Sequence, residues 1–168
     1  MTALDLAAGA VTGLRRRAGE EGLTIEVIQA DLFELSGKWD DTFNLLGEHT
    51  CFCAIPLHRR SDYVRVAARV LRSDASLVSL FFEVDVPMED GPPFPTTRAD
   101  VVGHFEPAFE IHAIRTAAGL LCRAPGTGVV GTHATHLILL RRLCNPPIPP
   151  FLFREQATLE IPDCCGLR

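Results

Sequence analysis

Short apolar runs and helix-spaced apolar positions alternate along much of this chain. Residues 1–6 read as a strand, and the order Ala3, Leu4, Asp5 leaves a carboxylate at its carboxyl end. Residues 7–22 follow as a helix, with Val11, Leu14 and Ala18 at helical spacing, Arg15 to Arg17 turned outward, and Gly22 as the stop. Residues 24–28 form a β-branched strand that runs into Asp31, again an acid just past a strand end. After a loop over 36–41, residues 42–46 predict a third strand that ends at Gly47. Residues 61–72 set Tyr63, Val66, Ala67, Val70 and Leu71 on one helical face. Residues 76–82 are a continuous apolar run of the kind buried on both faces of a sheet.

That order predicts an α/β protein with a mostly parallel sheet and helices on both faces. Residues 87–95 cannot be regular structure, because proline fixes φ and removes a donor, so they predict a stiff loop where a lid would sit. Thr97-Arg98-Ala99-Asp100 resembles a capping box opening a helix through Phe105. Residues 108–114 and 136–142 form a final strand pair around a Gly-, Thr- and Ala-rich loop over 116–132. The prolines of 145–150 then separate a domain over 1–143 from a loosely attached tail over 144–168. There is no internal repeat.

Composition narrows the class. A chain of 168 residues, 47% hydrophobic and 22% charged, is long enough for one well-packed globular domain. Its net charge of -5 argues against general nucleic-acid binding, and the Arg15–Arg17 run and the Arg59-Arg60 pair read as solvated helix faces. No apolar run approaches the roughly 18 residues needed to span a bilayer, and the first residues lack a secretory layout. The six cysteines fit no disulfide-rich mini-protein at this length, so free thiols and a cytoplasmic location are expected.

Candidate chemistry gathers just past the third strand, where Gly47-Glu48-His49-Thr50-Cys51-Phe52-Cys53 closes at Ile55-Pro56. In open α/β sheets, ligands bind at the carboxyl ends of strands. Asp5, Asp31 and Glu48 follow three successive strands and suit a ligand carrying ribose hydroxyls, an exocyclic amine and positive charge; equally, such acids keep loops soluble or cap helices. His49 reads either as a general base or as a hydrogen-bonded turn residue. Cys51 and Cys53, His133 with His136, and Cys164-Cys165 lack the paired spacing of a four-ligand zinc site, so no metal is expected. Phe81, Phe82, Phe105, Phe109 and Tyr63 read as core.

The stretch from Glu48 to Pro56, with Arg59, Arg60 and Tyr63, resembles the thiopurine methyltransferase-like group of S-adenosylmethionine-dependent methyltransferases, including the halide/thiol methyltransferases. Gly91-Pro92-Pro93-Phe94 and Phe105-Glu106-Pro107-Ala108-Phe109-Glu110 are similar to the same group, and the likeness runs from about residue 2 to about 111. The resemblance implies a Rossmann-like methyltransferase sheet. It implies S-adenosylmethionine as cofactor, with Asp5 at the ribose, Leu6 also binding the cofactor, Asp31 and Leu32 at the adenine, and Glu48, His49 and Thr50 toward the methionine end and the methyl group. Glu48 and His49 would then be catalytic, and Phe52, Cys53, Pro93 and Phe94 would line the acceptor pocket. Two segments depart from the group: its first strand and glycine-rich turn would lie upstream of Met1, and Arg72-Ser73-Asp74-Ala75 replaces a Lys/Arg-Pro-Gly-Gly turn. The expectation is thus an amino-terminally shortened methyltransferase, monomeric or weakly oligomeric. It would act on a small thiol, halide or thiopurine-like acceptor, without nucleic-acid or membrane partners. The alternative is a fold kept without catalysis, in an interaction or structural role.

Overall fold

A computed structural model describes residues 1–83, 91–117 and 135–144. The described chain divides into two compact units, one over Met1–Gly37 and one from Lys38 onward. The tail expected from residue 144 on lies outside the described residues apart from Cys144 itself.

The first unit is a β-α-β piece. Strand β1 (Thr2–Asp5) pairs in parallel with β2 (Glu26–Gln29), Asp5 standing opposite Gln29. Helix α1 (Ala8–Glu20) joins them and buries Val11 and Ala18. Its end follows from Gly22, whose φ of 66° is open to glycine at no steric cost. The Gly22 amide donates to the Gly19 carbonyl (3.3 Å) and the Leu23 amide to that of Ala18 (2.8 Å), so two otherwise orphaned carbonyls are satisfied.

The second unit is a four-stranded sheet in the order β3-β4-β6-β5. Strand β3 (Phe43–His49) runs parallel to β4 (Leu71–Phe82); β6 (Thr135–Arg142) is antiparallel to both β4 and β5 (Phe109–Ala117). Helix α2 (Arg60–Val70) delivers the chain directly into β4, and α3 (Arg98–Phe105) precedes β5. The capping box at α3 forms: the Thr97 hydroxyl accepts from the Asp100 amide (3.1 Å), and the Asp100 carboxylate from the Thr97 amide (2.9 Å).

One sheet face carries the core. Leu77, Phe81, Ile138 and Leu140 of the sheet are buried, as are Tyr63, Val64 and Ala67 of α2 and Val101 and Phe105 of α3, and the Phe81 ring packs edge-on against Phe105. Five aromatic rings, Phe52, Tyr63, Phe81, Phe105 and Phe109, are linked by centroid distances of 5.3–6.2 Å in tilted or edge-on geometry.

Three expectations are corrected. The third strand does not stop at Gly47: Gly47, Glu48 and His49 pair with Val78, Ser79 and Leu80, because β4 offers a continuous ladder there that offsets the weakening a strand glycine brings. The strand read as 76–82 begins at Leu71, its register moving from Phe43↔Leu71 to Leu45↔Ser76 around Asp74, whose φ is 64°. Arg60 is no solvated helix residue; it is 1% exposed.

Candidate active site

In the first unit, the carboxyl ends of β1 and β2 bring Asp5, Leu6, Asp31 and Leu32 to one edge of a parallel pair. The Ala30 amide donates to the Asp5 carbonyl (3.2 Å), and the Gln29 side-chain amide to that of Leu6 (3.4 Å), which ties the two chain ends. Each aspartate accepts a backbone amide two residues on, Asp5 from Ala7 and Asp31 from Phe33, both at 2.8 Å through Oδ1. These Asx turns fix the carboxylates at the edge. Asp5 and Leu6 are exposed, and Asp31 and Leu32 half-buried. Oriented carboxylates beside accessible apolar side chains fit a nucleoside, whose hydroxyls and amine donate and whose base needs a greasy flank.

In the second unit, β3 ends in Glu48 and His49, which point to opposite faces of the sheet. His49 is exposed, its Nδ1 3.4 Å from the Thr50 hydroxyl. Glu48 is 8% exposed and faces the core side. One carboxylate oxygen accepts from the Phe52 amide (2.9 Å) and the other from the Ser79 hydroxyl. Burial pushes its carboxyl up from 4.5 to about 7, against the opposing pull of the Phe52 and Cys51 amides. Tyr63 is raised as well, first by burial and then by the charges of Glu48 and Cys51.

Thr50 turns the chain with a φ of 57°, donating its hydroxyl to the His49 carbonyl (2.8 Å). The buried Cys53 thiol donates to the Thr50 carbonyl (3.1 Å). The Phe94 amide donates to the Cys53 carbonyl (2.7 Å), which docks the Gly91–Phe94 loop on the Cys51–Cys53 segment. Phe94 is half-buried and Pro93 exposed. Phe52, expected in the acceptor pocket, has a fully enclosed ring at 0% exposure and supports the segment from behind.

Spacing-based reading overlooked several groups. Ser79 is a hydroxyl set within the apolar run 77–82, on the buried face with Leu77 and Phe81, a position that calls for a buried partner, and Glu48 is that partner. Arg60 shares the i, i+3, i+4, i+7 face with Tyr63, Val64 and Ala67, so its burial was present in the periodicity. His136, of the His133/His136 pair, is buried, with Nε2 2.7 Å from Glu83 and Nδ1 3.3 Å from the Thr116 hydroxyl. His133, Cys122, Cys164 and Cys165 lie outside the described residues. Among the described residues no group of three metal-ligating side chains occurs, and no helix is long and apolar enough to cross a membrane.

Solved structures share this architecture at low identity. A protein studied in the conversion of a disulfide bond into a thioacetal group during echinomycin biosynthesis aligns with a TM-score of 0.67 and 21% identity, over 86% of this chain and 66% of that one. A SAM-dependent methyltransferase from Methanosarcina mazei aligns at 0.65 and 18%, over 84% and 81%. The [4+2]-cyclase SpnF aligns at 0.66 and 12%, over 84% and 65%, so the fold alone does not name a reaction. No curated protein matches the sequence. The fold is that of the Rossmann-like methyltransferases, a mixed α/β arrangement with one parallel strand pair in each of its two sheets. Residues 10–142 match the description Thiopurine S-methyltransferase (TPMT), and the chain belongs to that family.

Proposed function

We propose that this chain is an S-adenosylmethionine-dependent methyltransferase for a small, soft nucleophile: a thiol, a halide or a thiopurine-like acceptor. Methyl transfer is supported by membership of the family. The acceptor class is carried by one observation, the engagement of Glu48. The only carboxyl on the Gly47–Pro56 segment is buried and bonded to Phe52 and Ser79, so it is poorly placed to take a proton from an acceptor. That leaves the exposed imidazole of His49 as the base on the segment, enough for an acidic thiol, while a thiolate or halide asks for little base help.

When bound, S-adenosylmethionine supplies a methyl carbon activated by its sulfonium. In this reading Asp5 orients the ribose hydroxyls beside Leu6, while Asp31 and Leu32 take the adenine. Thr50 holds the turn toward the methionine end. His49, exposed beside it, accepts a proton where the acceptor still carries one. Pro93 and Phe94 over Cys53 align the acceptor and exclude water. Glu48 shapes the segment and does not exchange protons with the acceptor.

Calorimetric titration with S-adenosylhomocysteine, followed by mass spectrometry of thiophenol and iodide incubated with the cofactor, tests this. Saturable heat and S-methylated thiophenol or iodomethane are expected. Saturable heat with neither product removes the acceptor class. No heat removes the enzymatic reading and favours a fold kept without catalysis.

A further inference from the structure

Arg60 opens α2 at 1% exposure, yet among the described residues no carboxylate lies within ion-pair distance of it. An arginine stripped of water in this way persists only if other groups satisfy its donors. Here Nε donates to the Ile55 carbonyl (3.4 Å), one terminal nitrogen to the Pro95 carbonyl (3.1 Å) and the other to the Thr96 hydroxyl (2.7 Å). Its guanidinium carbon sits 4.7 Å from the centroid of the Phe52 ring, in cation–π range. Burial pulls this guanidinium below its ordinary value, with Asp100 and Cys53 opposing.

The partners belong to two segments far apart in sequence. Ile55 and Phe52 continue the Cys51–Cys53 segment; Pro95 and Thr96 continue the Gly91–Phe94 loop. Thr96, itself 1% exposed, donates its hydroxyl to the Phe94 carbonyl (3.0 Å), and the Phe94 amide donates to the Cys53 carbonyl (2.7 Å). A closed circuit therefore runs from Arg60 through Thr96 and Phe94 to Cys53. From Cys53 it returns through Phe52 to the guanidinium. A planar fork with several fixed donors can hold such a circuit; a lysine ammonium, a flexible point charge, cannot reproduce it.

We infer that Arg60 is a positioning residue of the acceptor pocket, setting the separation between Cys53 and Phe94 without touching the acceptor. The inference rests on the acceptor reading above. Arg60→Lys raises the KM for thiophenol about tenfold, the order expected when one buried hydrogen bond from a charged donor is lost. It changes the dissociation constant for S-adenosylhomocysteine less than twofold. Thr96→Val, which removes one spoke and keeps the side-chain shape, raises KM in the same direction, and the double variant adds less than the sum of the two effects. Hydrogen exchange at the Phe94 amide, measured without ligand, speeds up in both single variants while amides in the middle of α2 keep their protection.

Unchanged KM with unchanged Phe94 protection would overturn the inference. So would equal losses of acceptor and S-adenosylhomocysteine affinity with α2 deprotected, which would make Arg60 a general support of the fold. If the lysine variant does not fold, Thr96→Val decides alone. If the unaltered protein does not bind S-adenosylhomocysteine, the functional reading has failed, and Phe94 exchange still decides whether Arg60 holds the loop.

Discussion

Glu48 makes the stability of this protein depend on pH in an unusual direction. Folding takes its carboxyl from an ordinary 4.5 to about 7, chiefly because burial disfavours the charge. A carboxyl raised in the folded state binds its proton more tightly there than in the unfolded chain. Stability from this group is therefore fully present below about 4.5, declines as pH rises, and is lost above about 7. Every tenfold gain in proton affinity on folding is worth about 1.4 kcal/mol, so the whole decline is of the order of 3 kcal/mol. With the side chain 8% exposed, solvent screening removes little of it. Glu48→Gln abolishes the titration while its amide oxygen still accepts from Phe52 and its amino group donates to the Ser79 hydroxyl. At pH 8 the variant should be more stable than the parent by about 2 kcal/mol, allowing for roughly 1 kcal/mol lost with the charge-assisted hydrogen bonds. At pH 5 the two should be level, or the parent slightly ahead. Urea unfolding between pH 5 and 8 measures this. Parallel profiles for parent and variant would refute the reasoning, since the slope difference is the titration of this one group.

Two further substitutions probe the edges of the candidate site. At Gly91 an added Cβ would lie 2.2 Å from a Phe94 ring carbon, so Gly91→Ala forces that ring aside. A loss of about 1–3 kcal/mol in thermal or urea unfolding is expected from the overpacking, together with a higher KM for thiophenol. Asp5→Asn keeps the Asx turn to Ala7 and removes the charge; it should weaken S-adenosylhomocysteine at least tenfold by calorimetry while leaving unfolding within about 0.5 kcal/mol, as for other exposed positions.

Much of the fold was legible because local chemistry and tertiary structure agree. Gly22 ends α1 through its positive φ, and Thr97 with Asp100 opens α3, each by a mechanism contained in a few neighbouring residues. The helical face of Tyr63 and Ala67 and the apolar run leading to Phe81 likewise met their expected surroundings. What the sequence concealed depends on partners distant along the chain. Gly47 looks like a strand end until β4 supplies a ladder beyond it. Glu48 looks like a rim acid until Ser79 and the Phe52 amide draw it inward. Arg60 beside Arg59 looks like a solvated pair until Pro95 and Thr96 arrive from 35 and 36 positions away.

The seamless passage from α2 into β4 has a mechanical consequence. Val70 closes the helix and Leu71, already paired with Phe43, opens the strand, so no linker residue separates them. Because each helical residue advances the chain by about 100° of rotation, one inserted amino acid would swing the opposite terminus by more than a quarter turn. The buried cation at that terminus would then be flung into water, or the strand would be dragged out of step. The length of this helix therefore works as a gauge block: drift in its composition is tolerable where its count is not.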